Sequence, residues 1–356
     1  MNEAILHGDW LTQRFIIILQ EKNLLTWLGI YVVNGLMKRR PWLLGLLGTG
    51  LGLSAGCGST ETNKPTSSTS GLSSGSSSTT SASTTSSTSA TSSGDPGALG
   101  PLRISYGPGP LQFGDLRLPS GTGPHPVIVV LHGGCWINFY GLDLMHDMSA
   151  ALTAEGFATW NVEYRRLGDA DCKYPNTFID VGMAVDHVRK LAVDYPLDLS
   201  RVTTVGHSAG GHLAVWVAAR QKLIATNPLH GTDPLPIKAA VSLAGVLDLA
   251  ESLNLGVCNG TASQLLEGTP SEVPARYAEA SPRQLLPIGV TQKLVHGNSD
   301  TLVPLVMSQH YLDAAKGAGE ANVTLDVIDG ADHFDVITPS STKWPAVLKV
   351  IVDVAL

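Results

Sequence analysis

The run Val202-Thr203-Thr204-Val205-Gly206-His207-Ser208-Ala209-Gly210-Gly211 changes its periodicity within ten residues. Val202–Val205 is a β-branched stretch of strand type, while Ala209–Gln221 carries Ala, Leu and Val at helical spacing. Between them Gly206-His207-Ser208-Ala209-Gly210 leaves almost no residues for a loop, so strand must turn sharply into helix. A turn that tight has no room for side chains beside the serine, which accounts for the flanking glycines. It also sets Ser208 at a helix N-terminus, where main-chain N–H groups face any negative charge that develops.

Outward from this turn, strand and helix alternate. Pro126–Leu131 is continuously apolar, as a strand buried on both faces should be. Ala158–Tyr164, Ala239–Leu243, Gln292–Val295 and Val323–Ile328 are further strand-like runs. Asp143–Glu155 and Phe178–Val193 read as helices, the second amphipathic. Ile104–Tyr106 and Leu111–Leu118, separated by Gly107-Pro108-Gly109-Pro110, predict a leading hairpin. Such alternation predicts an α/β fold whose mostly parallel sheet is covered by helices on both faces. Sites in these sheets lie beyond the carboxyl ends of the strands. Residues 249–290, between two sheet strands, are the one sizeable insertion and are expected to form a small cap over the site.

Serine becomes a useful nucleophile only when a base takes its proton, and that base needs a carboxylate to orient it. In a strand-turn-helix site of this type the chain order is Ser, then Asp or Glu, then His. Asp300 closes Leu294-Val295-His296-Gly297-Asn298-Ser299-Asp300 after one strand, and His333 follows the last strand in Gly330-Ala331-Asp332-His333-Phe334. Asp248 and Asp332 are the rival carboxylates; Asp335 suits a helix cap or a loop contact. His132-Gly133-Gly134-Cys135-Trp136 follows the strand at 126–131, so main-chain N–H groups of Gly133 or Gly134, with that of Ala209, are the expected oxyanion donors. His207 and His212 are expected to pack and hydrogen-bond around the turn, and His296 to fix the loop carrying Asp300. Trp136 and Tyr140 suit either a substrate pocket or the core, and Cys135 either a reactive thiol or a small buried filler.

His132-Gly133-Gly134 together with Gly206-His207-Ser208-Ala209-Gly210-Gly211 resembles the esterase and lipase branch of the α/β hydrolases, which includes the hormone-sensitive-lipase type. Val162-Glu163-Tyr164-Arg165-Arg166 and His333-Phe334-Asp335-Val336-Ile337 resemble kynurenine-formamidase-like and carboxylesterase-like members. The resemblance covers roughly residues 112–350. It implies an α/β-hydrolase fold and a hydrolase that uses neither metal nor cofactor. Small carboxylic esters are the expected substrates. Arylformamides are the alternative within hydrolases, and a surface-tethered binding protein on an inactive hydrolase fold is the alternative of another class.

Net charge is −7, so no basic stripe is available to neutralise nucleic-acid phosphates. The N-terminal part is read as address and tether. Lys38-Arg39-Arg40 and the apolar Trp42–Leu53 have the order of an export signal, too short for a membrane span. Leu53-Ser54-Ala55-Gly56-Cys57 resembles a bacterial lipobox, with Ser54 where Leu is usual, which implies lipidation at Cys57 and a lipid anchor in the cell envelope. A plain export signal cut near Ala55 would instead give a soluble secreted protein. Residues 1–36 are expected to be a non-native upstream extension, with 37–57 the signal. Of the 28 residues from Thr66 to Ser93, 23 are Ser or Thr, which leaves almost nothing apolar to offset ordering entropy and predicts a disordered tether over 58–99. The folded domain is expected over 100–356. Among its three cysteines, Cys172 and Cys258 look like loop residues and are the expected bridge.

Overall fold

The apolar run read at 126–131 forms the central strand of an eight-stranded sheet. A computed structural model describes residues 14–21, 24–33, 36–38 and 101–356. Cys57, most of the signal segment and the tether over 58–99 lie outside the described residues.

The N-terminal segment is a unit by itself, with antiparallel strands β1 (Arg14–Glu21), β2 (Leu24–Val33) and β3 (Leu36–Lys38) paired in that order. Sequence patterning predicts none of these strands; Ile16–Leu19 and Leu24–Val33 are the apolar runs that form them, with Lys22-Asn23 between.

The second unit holds the eight-stranded sheet. Its strands are β4 (Leu102–Ser105), β5 (Phe113–Arg117), β6 (His125–Leu131), β7 (Ala158–Val162), β8 (Leu197–His207), β9 (Ala239–Leu243), β10 (Thr291–Gly297) and β11 (Val323–Ile328). They lie in the order β11-β10-β9-β8-β6-β7-β5-β4. β6 to β11 pair in parallel, while β5 is antiparallel to both β7 and β4. This is the mostly parallel α/β-hydrolase sheet with a leading hairpin, as expected.

The helices are α1 (His146–Ala154), α2 (Asn176–Asp186), α3 (Val188–Asp194), α4 (Ala209–Ala219), α5 (Leu249–Asn254), α6 (Thr261–Leu265), α7 (Pro274–Ala280), α8 (Val306–Gly317) and α9 (Trp344–Ala355). Every residue of β6 is buried. Val127, Val129 and Leu131 join a core with residues of α2, α3, α4 and α8, whereas Ile128 and Val130 join a second core with α1 and α9. Alternate side chains of one strand thus feed opposite layers, which is why the run has no polar positions.

Two elements differ from expectation. The helix predicted over 178–193 is divided at His187, where Lys190 N–H bonds to the His187 carbonyl in a tighter 3₁₀-type turn. β8 begins five residues earlier than its apolar core suggests, because a register shift between Pro126 and Val127 accommodates the polar Asp198–Arg201 stretch. The cap insertion folds as α5, α6 and α7 with short 3₁₀ turns at Val257–Gly260 and Pro282–Leu285.

Candidate active site

β8 ends at His207 and α4 begins at Ala209, so Ser208 alone makes the turn. Its φ of 54° and ψ of −119° lie where side-chain-bearing residues are rare. The neighbourhood over-determines that conformation. Ser208 N–H bonds to the Leu243 carbonyl at the end of β9 (2.9 Å), and His212 N–H bonds to the Ser208 carbonyl (3.1 Å). A Cβ at Gly206 would overlap the main chain of Gly210, and one at Gly210 would overlap the carbonyls of Leu131 and His132. Both glycines are therefore required by close backbone approach.

The expected oxyanion segment packs directly on this turn. A Cβ on Gly133 would lie 2.9 Å from the His207 carbonyl oxygen and 3.1 Å from the Ser208 Cβ, so only glycine lets the two main chains approach. Gly134 has φ +108° and faces the Tyr140 side chain. Behind it, buried His132 stacks on Tyr164 with centroids 4.3 Å apart, and Tyr164 donates its O–H to the His132 carbonyl (2.7 Å). Glu163 lies 3.0 Å from His132 Nε2 and 3.0 Å from Arg166 Nη1, and it accepts N–H bonds from Leu142 and Tyr164. Burial alone would raise the Glu163 carboxyl, but His132, Arg166 and the Tyr164 N–H hold it below the usual range. Arg166 in turn donates to the Tyr140 carbonyl. This buried network fastens the loop after β6 to the end of β7; residue spacing alone did not point to it, although the Glu163-Tyr164-Arg165-Arg166 string was part of the resemblance.

Asp300 and His333, 33 residues apart, meet after β10 and β11. His333 Nδ1–H donates to Asp300 Oδ2 at 2.6 Å, which leaves Nε2 as the basic nitrogen. Asp300 Oδ1 accepts from the N–H groups of Leu302 and Val303. His296 Nε2 faces the Val303 carbonyl at 2.8 Å and Asp300 Oδ2 at 3.3 Å, while its Nδ1 accepts from Ser308, so it buttresses the loop as expected. Burial by itself would raise the Asp300 carboxyl, but hydrogen bonds from His296, His333 and Val303 N–H hold it well below the carboxylate range. The rival carboxylates are occupied elsewhere. Asp248 caps α5 by accepting from Ala250 and Glu251 N–H and faces Arg283, while Asp332 accepts from Phe334 and Asp335 N–H in an exposed turn. Asp335 binds the Asp332 N–H and Ser341, a loop role.

Ser208 and His333 line one pocket of about 410 Å³. Ile137, Tyr140, Leu144, Leu302, Val303 and Phe334 give it an apolar wall, and Gly256, Cys258 and Asn259 of the cap close one side. His207 donates Nε2–H to the His333 carbonyl (2.8 Å), and burial pushes it down to about 3. His212 donates to the Ala280 carbonyl (2.8 Å) and is pushed down to about 4, again by burial. Both therefore hold the turn as neutral imidazoles. Trp136 is buried and donates to His212 Nδ1 (3.2 Å), so it belongs to the core, whereas Tyr140 lines the pocket.

The expected Cys172–Cys258 bridge is corrected: Cys258 is bonded to Cys135, with Cα atoms 5.5 Å apart. Cys135 is thus neither a reactive thiol nor a filler. The pairing joins residues 123 apart, one in the loop after β6 and one in the cap, and no local spacing reports that approach.

The BD-FAE family model matches residues 115–314, more than half of the chain. The chain belongs to the BD-FAE family. That match includes Ser208 and Asp300 and ends before His333. Among relatives of this BD-FAE chain, Esterase LipQ of Mycobacterium tuberculosis is 26% identical over 225 residues, covering 62% of the chain and 53% of that esterase. A kynurenine formamidase of Salmo salar is 28% identical over 249 residues, covering 66% of the chain and 75% of the formamidase. A bifunctional GH43-CE protein of Bacteroides eggerthii has a TM-score of 0.62 at 23% identity, over 72% of this chain and 35% of its own. The BD-FAE chain spans about half the length of the first of these relatives, and the likeness of the last is one of fold.

Proposed function

We propose that this chain is a serine hydrolase of small, uncharged carboxylic esters, with Ser208 as nucleophile, His333 as base and then acid, and Asp300 as the carboxylate that orients the imidazole. The observation that carries it is the convergence of Ser208, on its strained turn, and the Asp300-paired His333 on one pocket. Membership in the BD-FAE family and similarity to named esterases support ester hydrolysis at the family level.

His333 Nε2 would take the Ser208 proton as Oγ attacks the ester carbonyl. The tetrahedral oxyanion would be held by main-chain N–H groups of Ala209 and of Gly133 or Gly134. His333 would return the proton to the leaving alcohol, and water would repeat the cycle on the acyl-enzyme. The two steps need no group beyond protein and water.

Arylformamide hydrolysis is the second reading, favoured by the similarity to kynurenine formamidases. N-formylkynurenine carries an ammonium and a carboxylate, and among the described residues lining the pocket none is Asp, Glu, Lys or Arg. Buried charges need partners, which favours the neutral ester. Turnover of a p-nitrophenyl ester series and of N-formylkynurenine by the full chain, beside Ser208→Ala, tests both. Fast short-ester hydrolysis lost in the variant is expected; preference for the formamide would replace the substrate class. Silence on every substrate, with no fluorophosphonate labelling, would favour the binding-protein alternative.

Export and lipidation at Cys57 are proposed from sequence alone. Growth with a labelled fatty acid should tag the chain but not a Cys57→Ser variant; an untagged chain found in the medium would favour plain secretion.

A further inference from the structure

We propose that the Cys135–Cys258 disulfide is a positioning element of the hydrolytic site, coupling the oxyanion segment to the cap; this rests on the serine-hydrolase reading above. Both half-cystines line the same pocket as Ser208 and His333. Cys135 directly follows Gly134, and the three residues Gly134, Cys135 and Trp136 all have positive φ, at 108°, 54° and 55°. Two of the three carry side chains, so the segment holds a conformation that costs free energy wherever its surroundings do not enforce it.

The other end is equally unusual. Gly256, Cys258, Asn259 and Gly260 also have positive φ, and Cys258 and Asn259 carry side chains. The C-terminal end of the cap has its own moorings on α4: His212 donates to Ala280, and Trp216 donates to the Glu279 carbonyl. α5 is tied to α8 by the His310–Glu251 contact. The turn at Val257–Gly260 is bound covalently to the loop after β6.

The consequence follows from where the bridge is placed. The N–H of Gly133 or Gly134 proposed as oxyanion donor must stay aimed at where the charge forms, and a misplacement of about 1 Å costs on the order of 10²-fold. The bridge fixes the residue next to Gly134 and also holds Asn259 in the pocket wall. Its opening should lower turnover at each competent site, while Ser208, Asp300 and His333, which follow β8, β10 and β11, stay assembled. A bridge in this position also makes the full rate dependent on an oxidising compartment.

The test uses the full chain and its Cys258→Ser and Cys135→Ala/Cys258→Ala variants, with sites counted by stoichiometric fluorophosphonate labelling, so that partial misfolding is divided out. Expected is a fall of about ten-fold or more in kcat per labelled site, beneath the roughly 10²–10³ of a lost oxyanion donor. Dithiothreitol transfers two electrons and two protons to the bridge and closes to its own cyclic disulfide. It should lower wild type similarly once thiol alkylation and mass spectrometry show Cys135 and Cys258 reduced. Variants that keep kcat per site within two-fold, with only a lower melting temperature, would overturn the proposal and leave a structural staple. So would a demonstrably reduced wild type at full rate. A wild type that neither turns over esters nor labels would overturn the hydrolase reading itself, and this proposal with it.

Discussion

Asp300 and His333 share a single proton. Asp300 Oδ2 takes the His333 Nδ1–H, and that choice of tautomer keeps Nε2 basic. Asparagine at 300 can preserve the two loop N–H bonds through its carbonyl, yet its NH₂ would donate to Nδ1 and invert the tautomer. Asp300→Asn should therefore fold normally and lose roughly four orders of magnitude in kcat with little change in KM, read by steady-state ester kinetics. Titration at this scale has two windows. The depressed Asp300 carboxyl contributes stability that is fully present above the unfolded carboxylate pKa, roughly 4, and lost as pH falls through its lower folded value. The buried His207 and His212 are also depressed, to about 3 and about 4, so the unfolded chain binds more protons below the usual histidine value of roughly 6.5. Stability should thus fall from about pH 6.5 downward, before the carboxylate matters. Melting temperatures measured between pH 7 and 5 should decline, and His212→Gln, which keeps a donor and an acceptor, should decline less steeply. The placement of Ser208, His333 and Asp300 could be read from sequence because each follows its own strand. Choosing Asp300 over Asp248 needed the fold, since both follow strands and only their hydrogen bonds differ.

At the scale of elements, the loop after β6 is held by what lies beneath it. Glu163 satisfies His132, Arg166 and two backbone donors within the protein interior. Glu163→Gln keeps the shape but takes one carboxylate from the buried Arg166, which retains Asp169 and the Tyr140 carbonyl; the loss should therefore lie below the about 3–5 kcal/mol of a buried ion pair left with no partner. Urea denaturation should report that loss as a lower midpoint with an unchanged slope. The cap was legible as a length inserted over the site, because 249–290 interrupts the strand-helix alternation, but which of its residues reach the pocket was not. Gly256, Cys258 and Asn259 reach the site through left-handed backbone, which Gly and Asn favour locally but no propensity of Cys announces. The break at His187 was likewise invisible, since the apolar spacing continues through it.

For the whole molecule, the Cys135–Cys258 bridge spans 123 residues and encloses β7, β8, β9 and the turn at Ser208. Closing a loop of that length removes chain entropy from the unfolded state worth roughly 4–5 kcal/mol. Equilibrium unfolding of Cys258→Ser should register a loss of that order, apart from any effect on turnover per site. What sequence determined by itself is local: the strand-helix alternation, the Gly-x-Ser-x-Gly turn, and the placement of each motif at a strand end. Periods of 2 and 3.6 and obligatory glycines report the immediate backbone environment. Tertiary structure alone decided that Cys258 meets Cys135 rather than Cys172, that Trp136 serves the core and Tyr140 the pocket, and that Asp300 rather than Asp248 reaches His333. Those are distances between segments far apart in the chain, set by sheet order and by how loops dock upon it, and spacing along one segment carries no record of them.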